Sequence, residues 1–318
     1  MSYKTPFSSW IGMDLEAGWC SGAVVNGLDK MHIISNWDIK IPAKRREQIW
    51  AQNRGKPVAT NILPKNPADI PITTSNVWSF RPLYLLLGGG SFSAVGSTGI
   101  ISQDSGMVLS FAIQEYRNGD HRAISGCVMD EVSLVIPKDG GNLNWEWKAV
   151  GADYSGTADA TNPGQYIESL RGQDGTYSLT SGGNSVSDRF LGGKITFRNN
   201  LVGTSYGSAP DVSNGRILKP ALGNLEVNAE LSMRIDTNNA FSQAWENHNT
   251  GIFNLNWIIK NENNTGCVLD ISGFQLDPDG YTEPVPTAQE GVIEMTINLI
   301  QSEDFILKNI EITGIDFS

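Results

Sequence analysis

A mainly β architecture is what this sequence predicts, and three observations predict it. Charged residues make up only 18% of the 318 residues while glycine is abundant at 34, a balance that favours short strands joined by turns over long helices. From Met107 onward, apolar and polar residues alternate with a period of two, the signature of strands with one dry and one wet face. Clusters of Gly, Asn, Asp and Ser separate these runs as turns do. A chain of this length has the material for one large core or two medium ones.

Residues 1–75 read as an extended N-terminal arm with short strands, because prolines at 42, 57, 64, 67 and 71 punctuate it. Trp10, Trp19, Trp37 and Trp50 lie in this segment, so the arm is expected to pack its aromatic groups on the body of the chain or on a neighbouring subunit. Pro82 and the triple glycine after Leu87 bracket a short apolar run, PLYLLLGGG, which predicts one or two turns of helix. The glycines lack the lysine and the spacing of a phosphate loop.

A three-strand meander follows: VLSFAIQEY, the turn RNGDHR, GCVMDEVSLVI, the turn PKDGG, and NLNWEWKAV. Residues 151–192 are rich in Gly, Ser, Asn and Asp and read as a long loop. After KITF, the stretch from Leu225 to Ile235 puts Leu225, Val227, Ala229, Leu231, Met233 and Ile235 on one face of a long strand. FNLNWIIK, the turn NENNTG, CVLDISGFQL, the loop DPDGYTEPVPTAQEG, VIEMTINLI and FILKNIEITGIDF complete the chain.

Two short stretches resemble each other. ISGCVMD at 124–130 returns as NTGCVLD at 264–270, each after an apolar strand and a polar turn and each before an alternating strand. Those later strands align as Leu143 with Ile293, Trp145 with Met295, Trp147 with Ile297 and Ala149 with Leu299. Every dry position maps onto a dry one, so the expectation is a β module duplicated within the chain, at 76–165 and 166–318. The glycine would leave the turn and the cysteine would pack beneath it at the strand entry.

Several chemistries find no support. The net charge of −11 and pI near 4.8 oppose a protein that grips nucleic acid, since such binding is driven by Lys and Arg. Cys20, Cys127 and Cys267 are far apart and spell neither a disulfide framework nor a CxxC metal site; free buried thiols in a reducing compartment are expected. His32, His121 and His248 are isolated, DPDG at 277–280 lacks the calcium-loop ligand series, and no GxSxG elbow or Walker lysine occurs. Neither an enzyme nor a cofactor or metal site is expected. The first residues lack a signal-peptide core and no stretch is long enough for a membrane span, so synthesis in a cytoplasm is expected.

The order of WIGMDLEAGW, IKIPAKR, PLYLLLGGG, VLSFAI, GCVMDEVSLVI and NLNWEWKAVG resembles the major tail tube proteins of long-tailed bacterial and archaeal viruses. That resemblance covers most of the chain. It implies a tail-tube-type β-sandwich or split-barrel module whose long strands join those of neighbours around a lumen. Rings stack into the tail, through which double-stranded DNA passes during ejection. One module per chain implies hexameric rings, and two imply a trimeric, pseudo-hexameric ring. The partners implied are further copies, a tape measure protein and a tail terminator; the place is the virion tail, with synthesis in the host cytoplasm and no membrane. On this reading Asn144, Glu146, Glu226, Asn228, Glu230, Glu294, Thr296 and Asn298 line an acidic lumen that repels phosphates, and Leu225, Val227, Leu231, Trp145, Met295 and Ile297 back them. Trp10, Trp19, Trp37 and Trp50 make inter-subunit contacts, so that deleting residues 2–25 leaves a soluble chain unable to form tubes. The rival expectation is a carbohydrate-binding or adhesive β-sandwich, supported by the tryptophans and the loop-rich turns.

Overall fold

A computed structural model describes residues 10–21, 29–31, 36–37, 46–50, 57–62, 68–74, 80–92, 99–104, 108–117, 120–155, 170–185, 190–202, 219–235, 251–279 and 293–313. It is mainly β. The N-terminal segment carries β1 (Trp10–Leu15), β2 (Asp29–Met31), β3 (Asn36–Trp37), β4 (Arg46–Trp50), β5 (Pro57–Ile62) and β6 (Ala68–Thr74). Helix α1 (Arg81–Leu87) leads into β7 (Gly88–Phe92) and β8 (Gly99–Gln103). The meander is β9 (Phe111–Arg117), β10 (Asp120–Ile136) and β11 (Asn144–Gly151), followed by β12 (Asp153–Ser155), β13 (Gly175–Ser181), β14 (Asn184–Ser185) and β15 (Phe190–Arg198). The rest is β16 (Glu226–Ile235), β17 (Phe253–Lys260), β18 (Gly266–Leu276), β19 (Ile293–Leu307) and β20 (Ile310–Thr313).

The helix forms where the sequence places it. Proline stands at its start, and Gly88 ends it in a left-handed conformation (φ 80°), its N–H donating to the Tyr84 carbonyl. Leu83, Leu85, Leu86 and Leu87 are all buried, as are Arg81 and Pro82, so Tyr84 is the one residue of this helix that is not buried. Asn199, itself buried, donates from Nδ2 to the carbonyls of Leu86 (2.7 Å) and Met129 (3.3 Å), which fastens the helix end to β10.

One antiparallel sheet dominates, in the order β3-β6-β11-β10-β15-β16-β19-β18-β17-β13-β14. Strand β20 adds to β18 and leads on to β8 and β7. Strand β10 serves two sheets: up to Cys127 it pairs with β9, and from Val128 it pairs with β11. The switch is a bulge between Ile124 and Cys127, where Gly126 adopts φ +63°. A Cβ there would stand 2.2 Å from Cys20 Sγ, so only glycine fits.

An order of neighbours recurs. Strand β6 pairs β11, β11 pairs β10 and β10 pairs β9; likewise β16 pairs β19, β19 pairs β18 and β18 pairs β17. In both sets the outer strand comes first in the chain and the remaining three follow as a meander.

Three features differ from the sequence reading. The stretch 151–192, read as a loop, contains β12, a single 3-10 turn at Gly172–Asp174, β13 and β14. Strand β13 pairs with β17 from Gly175↔Ile259 to Ser181↔Phe253, and this non-local ladder overrides a turn-like composition. Tyr177 stacks among Phe190 and Trp257. Second, β1 lies in the sheet beside β9, with Ile11 and Met13 fully buried; removing residues 2–25 would therefore open the core of the subunit itself. Third, Cys267 lies at the entry of β18 but Cys127 lies midway along β10, beyond its bulge.

Candidate functional surface

Alternation decides which side chains share a face. In β11, Trp145, Trp147 and Ala149 are buried; in β16, Val227, Ala229, Leu231 and Met233 are; in β19, Met295, Ile297 and Leu299 are. Leu225 is half-buried against the same core. The residues between them point to the opposite face.

Register brings those polar residues together. Glu146 stands opposite Ser133, Ser133 opposite Thr196, and Thr196 opposite Asn228. One row further, Asn144 is opposite Val135, Val135 opposite Lys194, Lys194 opposite Glu230 and Glu230 opposite Asn298. Thr296 faces Ser232, and Glu294 faces Arg234. All eight polar positions singled out in the sequence thus occupy one face of a continuous sheet from β11 to β19. Glu230, Glu294 and Thr296 are exposed, and Asn144, Glu146, Glu226, Asn228 and Asn298 are half-buried.

The charge of this face is not uniformly acidic. Lys148, Lys194, Arg198 and Arg234 lie among the carboxylates, and most have an acidic neighbour across a strand. Lys194 Nζ reaches Glu146 at 2.5 Å, Lys148 Nζ lies 3.9 Å from Asp69, and Lys138 meets Glu294 at 3.3 Å. Arg198 donates to Glu131 Oε2 from both Nε (2.8 Å) and Nη2 (2.5 Å), and this bond raises the guanidinium's pKa further. Glu226 accepts from Asn228 Nδ2 at 2.7 Å and from Asn200 Nδ2 at 3.3 Å. Those two bonds, with Arg198 a smaller cause, hold its carboxyl below the usual range. Glu131, Lys194, Arg198, Glu226, Asn228, Glu230, Asp277 and Asn298 surround an open depression of about 390 Å³.

Glu131, Lys148, Lys194 and Arg198 were not among the residues picked from the sequence. The signal was present in KITFR, where Lys194, Thr196 and Arg198 alternate with buried Ile195 and Phe197. What no local pattern supplies is the neighbour across the strand.

Of the four arm tryptophans, Trp19 is half-buried against Cys20 and Ala152 of its own chain. The backbones of Trp10, Trp37 and Trp50 pair with Tyr116, Ile72 and Pro57, and their side chains lie outside the described residues. All three cysteines are buried and none is in a disulfide. Burial pushes Cys127 and Cys267 well above the usual thiol range. Glu16, buried nearby, accepts from Ser110 Oγ and from the Gly126 N–H (3.0 Å).

Among the described residues no group of His, Cys, Asp and Glu has metal-binding geometry, and no helix is long and apolar enough to cross a membrane. The described architecture is a broad antiparallel sheet with one dry face and one charged face. A family model described as phage tail tube protein matches residues 45–300, most of the chain, and the chain belongs to that family of structural tail proteins. No curated protein matches it.

Proposed function

We propose that this chain assembles into stacked rings whose central channel is the conduit for double-stranded DNA during ejection. The observation that supports this most directly is the polar face from β11 to β19: eight separate polar positions share one side of one sheet, and its reverse side is the core. A lumen wall needs water on one side and a dry backing on the other. Asn144, Glu146, Glu226, Asn228, Glu230, Glu294, Thr296 and Asn298 line the channel in this reading. Closing the sheet through further copies would also remove its exposed edges.

The recurring order β6-β11-β10-β9 and β16-β19-β18-β17 favours a duplicated module, with units near 76–165 and 166–318 and with β6 completing the first. Two modules per chain make the ring a trimer with pseudo-sixfold symmetry. The arm tryptophans contact neighbouring subunits, and the tape measure and tail terminator proteins are the further partners in the virion tail.

Electron microscopy of the purified protein tests the assembly. Stacked rings with a central channel and threefold averages are expected; dispersed monomers under all assembly conditions would overturn it. The carbohydrate-binding reading is weaker, because Trp145, Trp147 and Trp257 are buried and offer no platform to a sugar ring.

A further inference from the structure

The charges on the polar face form a ladder of alternating sign that runs across the strands. Asp69 on β6 lies 3.9 Å from Lys148 on β11. Lys148 is directly opposite Glu131 on β10, Glu131 is opposite Arg198 on β15, and Arg198 is opposite Glu226 on β16. The sequence of signs is minus, plus, minus, plus, minus over five adjacent strands. Beside it, Lys194 is held by Glu146, two strands away.

Adjacent strands are about 4.8 Å apart. A phosphate drawn toward Arg198 therefore meets Glu131 and Glu226 at nearly the same range, and attraction and repulsion largely cancel beyond contact distance. At contact, the Nε and Nη2 donors of Arg198 are already bonded to Glu131. Two of the five N–H donors of Arg198 are thus committed to Glu131, and Lys148 stands between Glu131 and Asp69, so each cation of this face has a carboxylate beside it that competes with a DNA phosphate.

We propose that Glu131 is a masking carboxylate: standing between Lys148 and Arg198, it keeps two cations of the channel face from capturing the phosphates of passing duplex DNA. The inference rests on the conduit reading for its biological role. Its physical content, that this face has latent affinity for duplex phosphate suppressed by an internal carboxylate, is separable from it.

The test compares E131Q with E311Q. The amide keeps the shape at 131 and removes the charge, and Glu311, exposed on β20 and outside the ladder, controls for the equal change in net charge. Affinity for a short fluorescent DNA duplex is measured by anisotropy on the dispersed full-length chain, from about 50 to 200 mM salt. E131Q is expected to bind about tenfold more tightly than wild type at the lower salt, with a salt slope steeper by about one as a further phosphate is neutralised. E311Q should match wild type, and E131Q/R198Q should lose the gain. E146Q, which frees Lys194, is the independent second variant and should show a gain of its own. Equal binding by E131Q, E146Q and E311Q would overturn the proposal. Microscopy of the same variants separates the two readings: tubes without a DNA gain refute the masking, whereas a DNA gain in a protein that never forms tubes upholds the masking and refutes the conduit.

Discussion

Replacing Trp145 with alanine should be among the most costly single changes in this protein, and its magnitude can be worked from the packing. The indole is 1% exposed, directly behind the polar face between Asn144 and Glu146. Its ring meets that of Phe80 edge-on, with centroids 5.4 Å apart and planes at 90°. A buried aromatic of this size removes about 150–250 Å² from water, or about 4–6 kcal/mol at about 25 cal/mol per Å². Measured Trp→Ala losses run at about 3–5 kcal/mol because neighbours relax into part of the void. We therefore expect W145A to lose about 4 kcal/mol in urea unfolding of the dispersed subunit, read by linear extrapolation. The edge-on pair should contribute about 0.5–1.5 kcal/mol of coupling in a double-mutant cycle with F80L. A loss under about 1.5 kcal/mol, with no coupling, would refute this account of how the helix entry is held against the sheet.

Other outcomes are expected from the same structure. Asn199→Leu leaves the carbonyls of Leu86 and Met129 without their side-chain donor; a loss of about 1–3 kcal/mol and faster amide exchange across α1 would register it. Gly126→Ala places a Cβ against Cys20 Sγ and 2.8 Å from Ala152 Cβ at φ +63°, so a lowered melting temperature should follow, relieved only in part by adding C20A because the Ala152 contact and a backbone strain of about 1–2 kcal/mol remain. Burial raises the folded-state pKa of Cys127 and Cys267. Their contribution is therefore complete below the unfolded thiol pKa of about 8.5 and declines as pH rises above it. Denaturation midpoints should fall from pH 8.5 toward 10 by less in C127A/C267A than in wild type, and native thiols should resist a disulfide reagent until unfolding.

Much of this protein was legible because strand patterning is local. The alternation in LEVNAELSMRI and NLNWEWKAV already separates Val227, Leu231 and Trp145 from Glu226, Glu230 and Glu146, and the faces follow from the pleat alone. The short helix was legible for the same reason, since Pro82 and Gly88 act through their own backbone angles. The stretch 170–185 was not: its composition is that of a loop, and only the ladder offered by β17, more than seventy residues along the chain, makes β13 a strand. Gly126 is similar, because what excludes a side chain there is Cys20, more than a hundred residues earlier.

The sequence by itself determined that the chain is a β protein and, for its strongly alternating strands such as β11, β16 and β19, which residues are wet and which dry. Tertiary structure alone decided that Lys148, Glu131, Arg198 and Glu226 stand in one row with alternating sign. The reason is physical: a side chain's face depends on the parity of its own position, whereas its neighbour across a strand depends on register, which is set by bulges and turns distant in the chain.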